Sequence, residues 1–166
     1  MNRAGYCYVG AAEKDGVELI CVVFYTTRNG RWTDTEKLME YGFTQFASVT
    51  PMELYDMNPT EISTSGYSLD DTNLGRLELG IRARGDTAPV EIVATKAEVE
   101  EMARNLRENV LIEYTRENFA APITAGEVFG TLTYYPTDDG TPAVYDLYAT
   151  RSIERRENAP KSIAER

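Results

Sequence analysis

The side chains that most often perform acid–base or nucleophilic catalysis are scarce or unfavourably placed in this chain. The sequence contains no histidine, which excludes histidine-dependent triads and removes the commonest general base and zinc ligand. The carboxylate pairs Asp70–Asp71 and Asp138–Asp139 lie beside Gly, Thr or Asn in predicted turns, where aspartate is favoured for local hydrogen bonding. We therefore expect no metal site, no cofactor and no carboxylate-based catalysis.

The two cysteines, Cys7 and Cys21, lie on opposite arms of a predicted hairpin. A three-residue loop at 14–16 pairs Cys7 with Val23 and puts Cys21 opposite Val9. Diagonal Cα atoms are about 7 to 8 Å apart, which is too far for an unstrained disulfide. We expect two reduced, partly buried thiols, although a one-residue change of register would pair them directly. A catalytic thiol is disfavoured because cysteine activation usually needs a cationic neighbour.

Composition excludes several classes of protein. The 166 residues carry a net charge of −10, which argues against binding to a nucleic-acid backbone. The N-terminus lacks the pattern of a signal peptide, and no run approaches the roughly 18 apolar residues of a membrane span. We expect a soluble globular chain without a targeting signal.

The first 46 residues are predicted to form two strands and a helix. Residues 4–12 and 17–26 are the strands, and the second, VELICVVFY, is apolar almost throughout, which is typical of a strand buried on both faces. Thr33 and Glu36 have the spacing of a capping box. The apolar stripe of the helix consists of Leu38, Met39, Gly42, Phe43 and Phe46. Because these elements cannot bury their own apolar surface, residues 1–46 are predicted to be the remnant of a larger domain.

Residues 47–153 are predicted to form a small β-sandwich with one inserted helix. Alternation is clearest in LELGIRAR (77–84), and Thr95 with Glu98 opens an amphipathic helix. The remaining predicted strands are PVEIVAT, VLIEYTRE, EVFGTLTYY and PAVYDLYAT. Residues 154–166 carry no periodicity and are expected to fray. The predicted class is therefore α+β, mainly β.

Two stretches of the sequence resemble one enzyme family. Residues 4–43, notably AGYC, the apolar strand and EKLMEYGF, are similar to the region after the Lys-Thr-Gly strand of serine-type D-alanyl-D-alanine carboxypeptidases, the low-molecular-mass penicillin-binding proteins. FAAPITAGEVFGTL at 119–132 resembles a signature of the β-rich C-terminal domain of these enzymes. The resemblance spans about residues 4–153, and its two motifs occur in the family's order. It implies an extracytoplasmic hydrolase of peptidoglycan maturation, with a cell-wall peptide as substrate.

The second motif also has a physical interpretation. Pro122 suits an edge segment, Gly126 suits a turn with positive φ, and Gly130 permits close backbone approach inside a strand. A similar turn occurs in biotinyl and lipoyl carrier domains, which need an exposed lysine on a tight hairpin. The lysines considered for that role, none of which has this setting, are Lys14, Lys37, Lys96 and Lys161. We therefore reject a carrier domain.

The family's catalytic motifs are missing from the sequence. The family uses Ser-x-x-Lys, Ser-x-Asn and Lys-Thr-Gly, with lysine in the role that histidine plays elsewhere. The chain contains no Lys-Thr-Gly and no serine in either serine motif. The serines are Ser48, Ser63, Ser65, Ser68, Ser152 and Ser162. We predict no catalytic residues and no formation of an acyl-enzyme by this chain alone.

Arg31 is the one residue with an implied binding role. The resemblance implies that an arginine at this position, just before the helix, binds the terminal carboxylate of the substrate peptide in a complete parent protein. A guanidinium suits that role because it is a fixed two-pronged donor. For this chain alone, a surface arginine in the turn at 29–31 is favoured.

Three functional hypotheses follow. The chain is the C-terminal portion of a D-alanyl-D-alanine carboxypeptidase, or a non-enzymatic module that binds cell-envelope proteins, or one half of a split enzyme. In each case the strand at 4–12 is expected to leave an edge unpaired toward the absent Lys-Thr-Gly strand, which invites self-association. No nucleic-acid partner is expected.

Overall fold

A computed structural model describes residues 5–85, 90–136 and 141–157. Its helices and strands follow one another in this order along the chain. They are β1 (Tyr6–Lys14), β2 (Val17–Thr26), α1 (Gly30–Gln45), β3 (Phe46–Val49), α2 (Pro51–Asp56), β4 (Glu61–Ser63), β5 (Arg76–Ala83), β6 (Ile92–Thr95), α3 (Lys96–Arg104), β7 (Val110–Tyr114), β8 (Val128–Tyr134) and β9 (Ala143–Ala149).

The chain divides into two compact units. Unit 1 comprises Met1–Thr50 and Glu91–Met102, and unit 2 comprises Pro51–Val90 and Ala103–Arg166. Unit 1 thus includes a segment that lies far along the sequence from its first fifty residues. The reason is that β3 pairs antiparallel with β6, a long-range pairing that no local sequence pattern indicates. The predicted boundary at residue 46 does not take account of this segment.

The hairpin β1–β2 of unit 1 has a two-residue loop. Asp15 and Gly16 have φ values of 52° and 76°, the pair of positive angles that a type I′ turn requires. Lys14 therefore pairs with Val17, and the predicted three-residue loop is wrong. This register pairs Cys21 with Gly10 instead of Val9.

The cysteines are thiols in the structure, but their surroundings differ. Cys21 is partly buried as expected, whereas Cys7 is exposed. Cys7 lies where the pairing of β1 with β2 is irregular, between Tyr6 and Tyr8. The expectation of a partly buried thiol is therefore wrong for Cys7.

The hairpin buries one of its faces. Val17 and Val23 are 3% and 7% exposed, and helix α1 lies close to both strands of the hairpin. A Cβ atom at Gly42 of α1 would collide with the Leu19 side chain, so the absence of a side chain at Gly42 permits this close packing. On the other face Ile20 is 77% exposed. The expectation that β2 is buried on both faces is wrong for these described residues.

Unit 2 is built around a five-stranded antiparallel sheet in the order β4-β5-β9-β8-β7. The predicted alternation of β5 is confirmed, because Leu77, Leu79 and Ile81 are buried and the residues between them are more exposed. Phe129 and Leu147 are fully buried on the neighbouring strands. The expected α+β, mainly β class is confirmed in this coarse form. The sandwich stays a prediction, since the described strands of unit 2 belong to one sheet.

The segment after β9 is joined to unit 2 by backbone hydrogen bonds. The Ser68 N–H donates to the Glu154 carbonyl at 2.8 Å, and the Arg156 N–H donates to the Gly66 carbonyl at 2.8 Å. The first residues of the segment expected to fray are therefore paired, while residues 158–166 lie outside the described residues.

Candidate functional site

Arg31 lies in the first turn of α1, not in a turn before it. The Gly30 N–H donates to the Thr27 hydroxyl at 2.9 Å, which satisfies one of the N–H groups left free at a helix start. The helix therefore begins three residues before Thr33, and the predicted capping box of Thr33 and Glu36 is wrong. A further hydrogen bond of 2.7 Å runs from the Thr26 hydroxyl to Asp34 and joins the end of β2 to α1.

The guanidinium of Arg31 lies near two aromatic rings. Its Cζ atom is 4.8 Å from the centroid of the Trp32 ring and 5.7 Å from that of Tyr6. The Trp32 ring is in turn 4.8 Å from that of Tyr8, measured between centroids. These contacts within cation–π distance restrict the arginine and orient it.

The Nε atom of Arg31 is buried and has no hydrogen-bond partner in the part of the chain that the structure describes. A buried donor without a partner costs about 1–3 kcal/mol. Because this atom is inaccessible from outside, a ligand could reach the guanidinium only through its terminal nitrogens.

A shallow depression of about 580 Å³ adjoins Arg31. Two arginines and the start of α1 give it a positive character, because the N-terminus of a helix carries a partial positive charge. Its lining residues are Thr27, Arg28, Asn29, Arg31 and Trp32. These side chains can bind a carboxylate, but they offer neither a serine or cysteine nucleophile nor a carboxylate base.

The glycines of the second motif have the roles that the sequence predicts. Gly126 has a φ of 84°, so it supplies the positive φ of the turn. A Cβ atom at Gly130 would collide with the Glu113 carbonyl and lie 2.9 Å from the Tyr114 Cα atom. The close approach of β7 and β8 therefore depends on this glycine.

The charged and aromatic residues around the second motif form structural contacts. The Arg116 guanidinium donates to the Glu127 carboxylate and lies 4.4 Å from the centroid of the Phe129 ring. Phe129 makes an edge contact with Phe119, with centroids 5.3 Å apart. These contacts pack the motif onto the sheet.

The carboxylate pairs of the sequence have different outcomes. Asp71 accepts hydrogen bonds from the Gly75 N–H at 2.9 Å and from two nitrogens of Arg151 at 3.0 and 3.1 Å. The hydrogen bonds from Arg151 hold the pKa of Asp71 below its ordinary value of 3.8. Asp71 is thus a turn residue held in an ion pair. Asp138 and Asp139 lie outside the described residues.

The capping box of Thr95 and Glu98 is confirmed. The Thr95 N–H donates to the Glu98 carboxylate at 2.8 Å, and the Glu98 N–H donates to the Thr95 hydroxyl at 3.3 Å. Hydrogen bonds from Thr95 lower the pKa of Glu98.

Across residues 5–85, 90–136 and 141–157, no helix has the length and apolar character needed to span a membrane.

Comparison with solved structures gives distant neighbours, among them the following three. The D-alanyl-D-alanine carboxypeptidase DacD from Francisella tularensis is 22% identical, with a TM-score of 0.32, over 93% of this chain and 34% of that chain. Penicillin binding protein 5 from Haemophilus influenzae is 20% identical, with a TM-score of 0.32, over 93% of this chain and 40% of that chain. The Streptococcus pneumoniae peptidoglycan synthesis regulatory factor PBP3 is 19% identical, with a TM-score of 0.32, over 93% of this chain and 41% of that chain.

The neighbours are D-alanyl-D-alanine carboxypeptidases and penicillin-binding proteins. No family model matches the chain. The chain spans 34% to 41% of the length of these structures, and TM-scores of 0.32 assign neither family nor activity. The family and the activity of this chain are therefore matters of proposal.

The aromatic partners of Arg31 were missed by sequence reasoning. Trp32 follows Arg31 directly and is the only tryptophan of the chain, a signal that was available. Tyr6 contacts Arg31 because the hairpin register pairs Tyr6 with Thr26, near the start of α1. That contact depends on the register, which the sequence predicted wrongly.

Proposed function

We propose that this chain is the C-terminal portion of a serine-type D-alanyl-D-alanine carboxypeptidase of the cell envelope. The observation that carries the proposal is the occurrence of both family motifs, at 4–43 and 119–132, in the family's order. The chain itself is inactive, because it contains no Ser-x-x-Lys, Ser-x-Asn or Lys-Thr-Gly. The complete parent protein removes the terminal D-alanine of a peptidoglycan peptide.

Within the parent protein, Arg31 binds the terminal carboxylate of that peptide. Arg31 lines the depression beside the start of α1, and its guanidinium is oriented by Trp32 and Tyr6. A guanidinium pairs with a carboxylate through two parallel hydrogen bonds. The site therefore supports recognition of a free peptide terminus, while the chemistry is supplied by residues that this chain does not contain.

The proposal is tested first by the reading frame and by labelling. An in-frame Lys-Thr-Gly just upstream of Asn2 is expected, preceded by Ser-x-x-Lys and Ser-x-Asn. Residues 1–166 alone, incubated with a fluorescent penicillin, are expected to show no covalent label by intact mass spectrometry. A stoichiometric label on this chain, or an upstream frame without these motifs, contradicts the proposal.

The role of Arg31 is tested in the parent protein with two peptides. Arg31→Gln is expected to raise KM about tenfold or more for a peptide with a free terminal carboxylate, because the paired guanidinium is lost. The same peptide amidated at its terminus should be turned over equally by both proteins. Arg107→Gln is the matched control, since it makes the same change of charge at an exposed arginine that does not line the depression. An equal effect on both peptides would show that Arg31 only maintains the fold.

A second candidate is a non-enzymatic module that binds cell-envelope proteins, and a split enzyme is its variant. The exposed face of the hairpin favours this candidate, since Ile20 and Phe24 are 77% and 73% exposed. In the described part of the chain, β1 pairs with β2 alone, and we propose self-association through the free edge of β1. A clean upstream start with its own signal sequence would favour the module, and an adjacent gene ending in Lys-Thr-Gly the split enzyme.

A further inference from the structure

Strand β2 has one residue more than β1 near the start of α1. Tyr6 pairs with Thr26, and Tyr8 pairs with Val23. One residue of β1 lies between these two pairs, whereas β2 has two, Phe24 and Tyr25. An extra residue in one strand is a β-bulge, which bends that strand and redirects the side chains beyond it. The bulge therefore determines how β2 leads into α1.

The bulge interrupts the alternation of side chains along β2. Up to Val23, buried or half-buried residues alternate with exposed ones. Phe24 and Tyr25 are then both exposed, at 73% and 76%, and Thr26 is half-buried again. The Thr26 hydroxyl donates to Asp34 of α1 at 2.7 Å. Without the extra residue, the alternation would turn Thr26 away from α1.

Tyr25 has a left-handed backbone conformation at the bulge. Its φ is 55°, a value that residues other than glycine adopt only at an energetic cost. Its side chain is mostly exposed, so packing of the ring offsets little of that cost. Gly5 lies beside the bulge with a φ of 61°, and a Cβ atom there would lie 2.9 Å from the Tyr25 Cα atom. Residues with such backbone angles are concentrated at functional sites, where the surrounding structure holds them.

The bulge sets the position of Arg31 relative to β1. Hydrogen bonds of Thr26 and Thr27 join the end of β2 to the first two turns of α1. Because the bulge brings Thr26 opposite Tyr6, the start of α1 lies beside the Tyr6 ring, whose centroid is 5.7 Å from the Arg31 Cζ atom. Without the extra residue, Tyr6 would pair with Tyr25. The start of α1 would then move by one residue, about 3.3 Å, along β1.

We propose that Tyr25 is a positioning residue for the Arg31 site. Its left-handed backbone maintains the bulge, and the bulge aligns the first turn of α1 with Tyr6. The exposed ring of Tyr25 is not needed for this role, which belongs to the backbone at position 25. A residue that does not hold a positive φ there would let the two strands pair without the bulge, and Arg31 would lose its contact with Tyr6.

The first test follows this contact in residues 1–166 by nuclear Overhauser effects between the Tyr6 ring and the Arg31 side chain. Tyr25→Val should lose the contact, because a β-branched residue is poorly accommodated at positive φ. Tyr25→Gly and Tyr25→Asn should keep it, because glycine and asparagine tolerate this conformation. Phe24→Val is the matched control: it removes the neighbouring exposed ring at a position without positive φ, and should also keep the contact.

Two results of this test would overturn the proposal. One is a contact between Tyr6 and Arg31 that persists in Tyr25→Val, and the other is loss of that contact in Tyr25→Gly or Tyr25→Asn. If Tyr25→Val does not fold, the glycine and asparagine variants decide. Retention of the contact in both would support the proposal, because position 25 would then need only a left-handed backbone.

The second test measures the consequence for the peptide in the parent protein, and it rests on the carboxylate-binding role proposed for Arg31. Tyr25→Val should raise KM about threefold for a peptide with a free terminal carboxylate and leave kcat unchanged, and Tyr25→Gly should restore KM. The amidated peptide should show no change. Loss of the contact between Tyr6 and Arg31 without a change in KM would support the effect of the bulge and contradict the carboxylate-binding role of Arg31.

Discussion

Strand β2 in unit 1 and strand β9 in unit 2 have similar apolar character but different burial. In β9 every second side chain is buried and Leu147 is fully so, because sheet neighbours and a packed core surround it. In β2 only Val17 and Val23 are buried, and Phe24 is 73% exposed. An apolar sequence therefore indicates the environment that suits a strand. Whether its side chains are buried depends on which other elements are present to pack against it.

The largest expected effect comes from removing a phenylalanine ring at a buried position, compared with removing one at an exposed position. Phe129→Ala should destabilise unit 2 by about 3–5 kcal/mol, since the ring is fully buried and its loss leaves a cavity. Phe24→Ala should change stability by no more than about 0.5 kcal/mol. Urea unfolding followed by circular dichroism measures both. Similar losses for the two variants would mean that the exposed face of the hairpin, which carries Phe24, is packed in solution.

The next effect concerns the close approach of β7 and β8. Gly130→Ala should destabilise unit 2 by about 3 kcal/mol, because the added Cβ meets the backbone of Glu113 and Tyr114. Gly85→Ala is the control: its added Cβ meets no atom of the described residues within 4 Å but keeps a φ of 61°, and it should cost about 1 kcal/mol. Thermal unfolding compares the two variants. A Gly130→Ala protein as stable as the control would contradict the described contact.

A smaller effect is expected at the start of α1 in unit 1. Thr27→Ala should destabilise unit 1 by about 1 kcal/mol, because it removes the acceptor of the Gly30 N–H. Thr33→Ala should have less effect, because Thr33 lies inside the helix. The fluorescence of Trp32, the only tryptophan, reports on this unit during unfolding. If Thr33→Ala were more destabilising than Thr27→Ala, the result would support the capping box predicted from the sequence.

The smallest effect is a dependence of the stability of unit 2 on pH. The pKa of Asp71 is lower in the folded chain than its ordinary value of 3.8, so its contribution is complete above that value and disappears as pH falls through the folded pKa. Asp71→Asn and Arg151→Gln should each flatten this acid dependence, as measured by unfolding midpoints across an acid series. If stability depended on pH to the same extent in Asp71→Asn, other carboxylates would account for that dependence.

Sequence patterns predicted the features that depend on near neighbours. The alternation of β5, the capping box of Thr95 and Glu98, and the roles of Gly126 and Gly130 all follow from spacing within one element or turn. The predicted hairpin register was wrong because an Asp-Gly pair accommodates two positive φ angles and so permits a two-residue loop.

Other features depend on competing hydrogen-bond acceptors or on contacts between segments that are distant in sequence. Thr27 captures the N–H group of Gly30, so α1 begins before the predicted cap. The pairing of β3 with β6 joins segments far apart in the chain. The contact of Arg31 with Tyr6 likewise depends on the hairpin register, and no pattern local to Arg31 predicts it.

The strand order of unit 2 has a consequence for synthesis on the ribosome. Strand β5 pairs with β9, and Leu79 faces Ala149 in that pairing. During translation β5 therefore emerges long before the strand that completes its hydrogen bonds, and contacts between such distant segments form slowly. The segments of unit 1 end at Met102, so all of its residues are synthesised before β9. The nascent chain can therefore form the hairpin and α1 before β9, the strand that pairs with β5, has been synthesised.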